Sequence, residues 1–98
     1  MSRHYAHQKV DANQAAIVEA LRKCGCSVAV TSSIGGGFPD LAVGFRRLNF
    51  LLEVKDGRKP PSARKLTEAE RIWHLTWRGR VEVVECVEDA LKVVGLSP

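Results

Sequence analysis

Ninety-eight residues are enough for one hydrophobic core and too few for two, and 45% apolar with 27% charged residues is the balance of a globular domain. The net charge of +4 suits a polyanionic partner without requiring one. No run approaches the ~18 consecutive apolar residues of a membrane span, and the opening "MSRHYAHQKVDANQ" lacks the apolar stretch of a secretion signal.

The first ten residues read as a polar arm carrying His4 and His7, with a single core domain over 11–95. Val10, Ile17, Val18 and Leu21 then recur at helical spacing, with Asp11 or Asn13 as the cap and Gly25 as the stop. Cys24, Cys26 and Cys86 are an odd set without framework spacing, and read as reduced thiols of a cytoplasmic protein. Cys24 and Cys26 lack a second ligand pair at the spacing of a zinc site. "SVAVT" is a short alternating strand, and "SSIGGG" a flexible loop. "DLAVGF" and "NFLLEVK" are two strands joined by a tight turn between Arg46 and Asn49.

"DGRKPPSARK" follows as a basic loop that Pro60 and Pro61 keep extended. Thr67 and Glu70 have capping-box spacing and open a second helix, which Gly79 closes. "RVEVVEC" alternates as a strand. "VEDALKVVG" is a closing helix with Ala90, Leu91, Val93 and Val94 along one stripe. The order is αβββαβα, a small mixed-sheet α/β sandwich.

The chemistry sits in the central hairpin. A two-residue turn at Arg47 and Leu48 pairs Phe45 with Phe50, Ala42 with Glu53 and Asp40 with Lys55. Period-two alternation then sorts Leu41, Val43, Phe45, Phe50, Leu52 and Val54 onto one apolar face. Asp40, Ala42, Gly44, Leu51, Glu53 and Lys55 take the other. Asp40 lies diagonal to Glu53, within side-chain reach. Two acids and a lysine thus share one hollow, where a divalent cation such as Mg²⁺ would be held by hard oxygen ligands and water. A half-exposed salt-bridge cluster is the alternative.

The surroundings favour the ion. Glycine backbone at Gly36 and Gly37 lets a phosphate chain approach closely. Arg58, Lys59, Arg64 and Lys65 offer phosphate contacts beside the acids. An acidic centre inside a basic rim suits phosphodiester chemistry better than plain binding.

Pro39-Asp40, twelve intervening residues and Glu53-Val54-Lys55 resemble the PD-(D/E)xK nuclease signature. The longer string from "GGGFPDLAVGF" through "VEDAL" resembles the VRR-NUC domain, a virus-type replication–repair nuclease, in its stand-alone phage or prophage form. The resemblance runs from about Asp11 to Gly95. It implies a restriction-endonuclease-like core and an endonuclease that depends on Mg²⁺ or Mn²⁺. It also implies a homodimer acting on branched DNA such as Holliday junctions in a bacterial host's cytoplasm, with no membrane and no small-molecule substrate.

By the same resemblance Asp40 and Glu53 are metal ligands with the main-chain carbonyl of Val54. Lys55 positions or activates the attacking water. Two residues depart from the pattern. Helical phase aims Gln14 at the sheet, where the family carries an acid, so its amide oxygen is a further candidate metal ligand, weaker than a carboxylate; Glu70 stands where many members carry Gln. Glu70 is therefore either an accessory to the site or simply the capping partner of Thr67.

Trp73 and Trp77, one helical turn apart, are expected to pack against the sheet; the alternative is stacking on a splayed base. His74 has no partner legible in the sequence, and Leu75 falls on the opposite face among arginines. Two rival functions stand beside the nuclease. One is a non-catalytic DNA-binding protein on a decayed nuclease scaffold. The other is a regulatory subunit of a phage replication or packaging complex.

Overall fold

A computed structural model of the protein describes residues 11–96. Val10, His4, His7 and the rest of the expected N-terminal arm lie outside the described residues. The elements run α1 (Ala12–Lys23), β1 (Ser27–Val30), β2 (Leu41–Phe45), β3 (Leu48–Val54), α2 (Glu68–Thr76), β4 (Val81–Val84) and α3 (Val87–Val93). This is the αβββαβα order expected, in a mixed α/β fold.

Asp11 caps α1, its carboxylate accepting from the Asn13 N–H at 3.1 Å. Gly25 ends the helix at φ 92°, where a side chain would be strained. Ile17, Val18 and Leu21 are the buried face, at the predicted phase. Glu19 points to solvent and pairs with Lys23.

The four strands form one sheet in the order β1-β2-β3-β4. The first two pairings are antiparallel and β3–β4 is parallel, so β3, α2 and β4 form a crossover unit. Leu41, Val43, Phe50, Leu52, Val54 and Val84 join Ile17, Val18, Leu21, Ala90 and Val94 in a single core. Burying each large aliphatic side chain here stabilises the fold by roughly 1.5–3 kcal/mol. One sheet face is thus covered by α1 and α3, as the alternation requires.

The hairpin register differs from the expected one by two residues. Phe45 pairs with Leu48 and Leu41 with Leu52, so the turn is Arg46-Arg47 rather than Arg47-Leu48. Both arginines have positive φ, 53° and 68°. That is the geometry of a type I′ turn, whose twist matches the strands. The faces are unchanged because a slip of two preserves parity. The neighbours do change: with Leu41 opposite Leu52, Asp40 falls opposite Glu53 instead of Lys55.

Arg46 also lies over the Phe45 ring at 4.8 Å, so Arg47 is the better site for relief of strain. Arg47→Gly is expected to raise stability by about 0.5–1 kcal/mol. Removing a left-handed side chain outweighs glycine's extra unfolded-state entropy. Urea denaturation at unchanged m-value would measure it; a loss of stability would mean the turn is not of this type.

Two further local expectations are corrected. Pro60 is extended (φ −60°, ψ 156°), but Pro61–Ala63 then winds into one 3₁₀ turn, so the basic loop is not extended throughout. Helix α2 ends at Thr76, before Gly79, because Trp77 adopts extended backbone at ψ 127°.

Candidate active site

The parallel ends of β3 and β4 carry the site. Asp40 enters β2 with its backbone carbonyl accepting from the Thr31 N–H at 2.7 Å. Its carboxylate accepts from the Val54 N–H at 2.9 Å. That bond fixes Asp40 against the adjacent strand at the level of Glu53.

Glu53 is only 2% exposed, and its Oε1 has no hydrogen-bond partner among the described residues. Burial, then the adjacent charge of Asp40 and its hydrogen bond, then Glu70, push the Glu53 carboxyl up to about 9. A buried acid in this condition calls for a proton or a cation.

Lys55 Nζ donates to Glu70 Oε1 at 2.8 Å and lies 3.6 Å from Glu53 Oε2. Burial pulls its pKa down, but the Glu70 bond and the charges of Glu70, Glu53 and Asp40 outweigh that, so the net shift is upward. Lys55 therefore stays an ammonium at neutral pH and acts as a donor. Glu70 accepts from both Lys55 and the Thr67 N–H (2.8 Å), while Thr67 Oγ1 accepts from the Glu70 N–H at 3.2 Å. Glu70 thus completes the capping box, as the spacing predicts, and at the same time accepts from Lys55. Burial pushes its carboxyl up, but these partners prevail and leave it below the usual range.

Among the described residues no three His, Cys, Asp or Glu side chains form a group that could hold a metal ion by themselves. Glu70 is committed to Lys55, which leaves Asp40 and Glu53 as the carboxylate pair. An ion between them would complete its shell with main-chain oxygen and water, as small hard cations commonly do.

Asn13, a candidate cap in the sequence, was not expected at the site. Its Nδ2 donates to the carbonyls of Lys55 (2.9 Å) and Glu85 (3.1 Å), pinning α1 across the ends of β3 and β4. Gln14, expected to aim at the sheet, instead donates from Nε2 to Ser32 Oγ at 3.2 Å. The first turn of α1 thus meets the site through Asn13. An amide two residues past a capping Asp was the available signal, but its partners are distant in sequence.

Asn13→Ala is expected to cost about 1–3 kcal/mol, because two part-buried carbonyls lose their donor. Asn13→Asp should cost at least as much, since an ionised carboxylate cannot donate to either. Thermal unfolding of the two variants tests this; an unchanged midpoint in both would remove the clamp from the account.

The glycine-rich loop closes over the N-terminal turn of α2. A Cβ on Gly37 (φ 87°) would meet the Ala69 carbonyl, so this close approach needs glycine. Gly36, also at positive φ, is open to solvent. Of the basic residues, Arg58 donates to Asp56 through Nε and Nη2 yet stays 76% exposed. Arg64 bonds the Lys59 carbonyl and Glu85. Lys59 and Lys65 are exposed, without an ion pair among the described residues.

Trp73 and Trp77 do not enter the core, contrary to expectation. Helix α2 has no buried residue, and its two indoles stack on each other at 4.6 Å. Phe38 of the glycine-rich loop packs edge-on against Trp73 at 5.2 Å. Beside them His74 Nε2 is buried without a hydrogen-bond partner among the described residues, and Leu75 is 72% exposed.

No protein-family model, curated protein or solved structure matches the chain. No helix among the described residues is long and apolar enough to cross a membrane.

Proposed function

We propose that this chain is a metal-dependent, structure-selective DNA endonuclease on a restriction-endonuclease-like core. The observation that carries the reading is Glu53: a fully buried carboxylate, one oxygen unpartnered among the described residues, beside Asp40 and flanked by an ammonium. Isolated buried charge costs several kcal/mol, and two adjacent carboxylates aggravate it. A divalent cation removes that cost. The donor set, two carboxylates with nearby main-chain oxygen, fits Mg²⁺ or Mn²⁺ rather than a thiophilic metal.

In this reading Asp40, Glu53 and the Val54 carbonyl hold the ion. When bound it supplies positive charge at the phosphate oxygens and the departing oxygen, and it acidifies water. Lys55, an ammonium, donates hydrogen bonds to the attacking water and orients it without taking its proton. Glu70 holds Lys55 in place. Water adds to phosphorus and gives up a proton to bulk solvent, while one P–O bond of the backbone breaks and the departing oxygen takes a proton from solvent, leaving a phosphomonoester end and a hydroxyl end. Lys59, Lys65 and the exposed Arg58 contact flanking phosphates. The preference for branched DNA and a C2 dimer rests on the resemblance together with the two-fold symmetry of a four-way junction.

Gln14 favours the second reading, a DNA-binding protein without catalysis, because α1 brings an amide bonded to Ser32 where an acid is expected. One assay separates the two: cleavage of a labelled four-way junction and its matched duplex in Mg²⁺, Mn²⁺ or EDTA. Metal-dependent cutting by the native protein is the expected result. Cutting only after Gln14→Glu would establish a decayed site.

A further inference from the structure

We infer that the outer face of Trp77 is a stacking platform for an unpaired nucleobase of the DNA strand that crosses the acidic pair. The inference rests on the nuclease reading and names its substrate class. Trp77 is 44% exposed, which is unusual for a large aromatic that has stacking partners available.

Its ring is nonetheless held on several sides. Trp73 stacks on one face at 4.6 Å and 17°. Phe38 stands edge-on at 6.4 Å. A Cβ on Gly79 would lie 2.8 Å from the indole Nε1, so Gly79 borders the pyrrole edge. With these neighbours in place Trp77 still keeps 44% of its surface exposed. A fixed indole presents a π surface at little ordering cost, which is what base stacking requires.

The position fits a strand leaving the acids. Glu70 and Trp73 lie three residues apart on α2, hence on one face, and Trp77, the first residue past its end, still donates its N–H to the Trp73 carbonyl and so stands one turn further on. Seven residues of helix span about 10 Å, or roughly three nucleotides along a duplex strand and fewer along an extended one. Lys65 and Arg78 flank this stretch and form no ion pair among the described residues. They are therefore available as phosphate contacts along this stretch. The charge suits a nucleic acid better than an apolar protein surface.

A paired base inside a duplex is already stacked on both faces and has none to offer. The platform therefore selects DNA with unpaired nucleotides beside the cut: a flap, a splayed arm or an opened junction centre.

The test uses the full chain in EDTA, so that no cleavage is involved. The chain's two tryptophans are the reporters. Oligothymidine is expected to quench their fluorescence and bind, whereas blunt duplex of equal length should leave the emission nearly unchanged. Trp77→Leu, which keeps apolar bulk but no π face, should lose roughly tenfold in oligothymidine affinity, and Trp77→Phe should retain most of it. Equal affinity of native and Trp77→Leu proteins for oligothymidine would overturn the platform. A shift of Trp77→Leu from dimer to monomer with DNA binding intact would also overturn it, and would assign the face to a second copy. Quenching without any metal-dependent cleavage would keep the platform and reject the nuclease. Cleavage insensitive to Trp77→Leu would do the reverse.

Discussion

Lys55→Ala is expected to abolish measurable metal-dependent cleavage, a loss on the order of 10²–10⁴ in kcat, while DNA affinity changes by no more than about threefold. Lys55 Nζ sits 2.8 Å from Glu70 and 3.6 Å from Glu53, turned toward the acids and only 14% exposed. It is poorly placed to hold a flanking phosphate but well placed to orient water at the acids. Truncation also leaves Glu70 without its cation, costing stability by about 1.5–3 kcal/mol. Circular dichroism at the assay temperature must therefore show a folded protein. Under single-turnover conditions the rate should fall with half-saturation unchanged. Weaker binding with an unchanged rate would make Lys55 a phosphate contact and remove it from the chemistry.

The second large effect concerns Glu53 in the metal-free protein. Its carboxyl is raised from 4.5 to about 9 on folding, by burial first and by Asp40 second. The native state therefore keeps a proton that the unfolded state has released across that window. Stability from this group is fully present below pH 4.5 and is lost as pH rises toward 9, by up to about 1.4 kcal/mol per pH unit. Denaturant unfolding in EDTA should show that decline. Glu53→Gln, nearly isosteric and uncharged, should flatten the profile and be the more stable protein at pH 8. Adding Mg²⁺ or Mn²⁺ at pH 8 should raise the melting temperature of the native chain and leave Glu53→Gln unmoved. A native profile flat from pH 5 to 9 would mean that Glu53 ionises freely, and the argument for a cation at this position would fall with it.

Much of this was legible in the chain. Period-two alternation assigned Leu41, Val43, Phe50 and Leu52 to the covered face and Asp40, Glu53 and Lys55 to the other. Helical phase located Ile17, Val18 and Leu21 inside. Thr67 and Glu70 announced their capping box, which forms. These are local patterns, and a pattern repeated every two or 3.6 residues survives without knowledge of what it packs against.

What escaped is what such patterns cannot encode. Alternation is blind to a slip of two, so the register hung on the turn. Nothing in Arg46-Arg47 advertises left-handed backbone, which glycine or asparagine would have signalled. Asn13 finds its carbonyls 42 and 72 residues away, a meeting that exists only once α1 lies across the ends of β3 and β4. The tryptophans stay out of the core because α2 buries none of its residues, leaving Phe38 and each other as partners. Composition and alternation thus chose the faces and gathered the acids. Pairing across the chain then decided that Glu53 would face Asp40 while Lys55 turned to Glu70, since register and long-range hydrogen bonds exist only between elements already assembled.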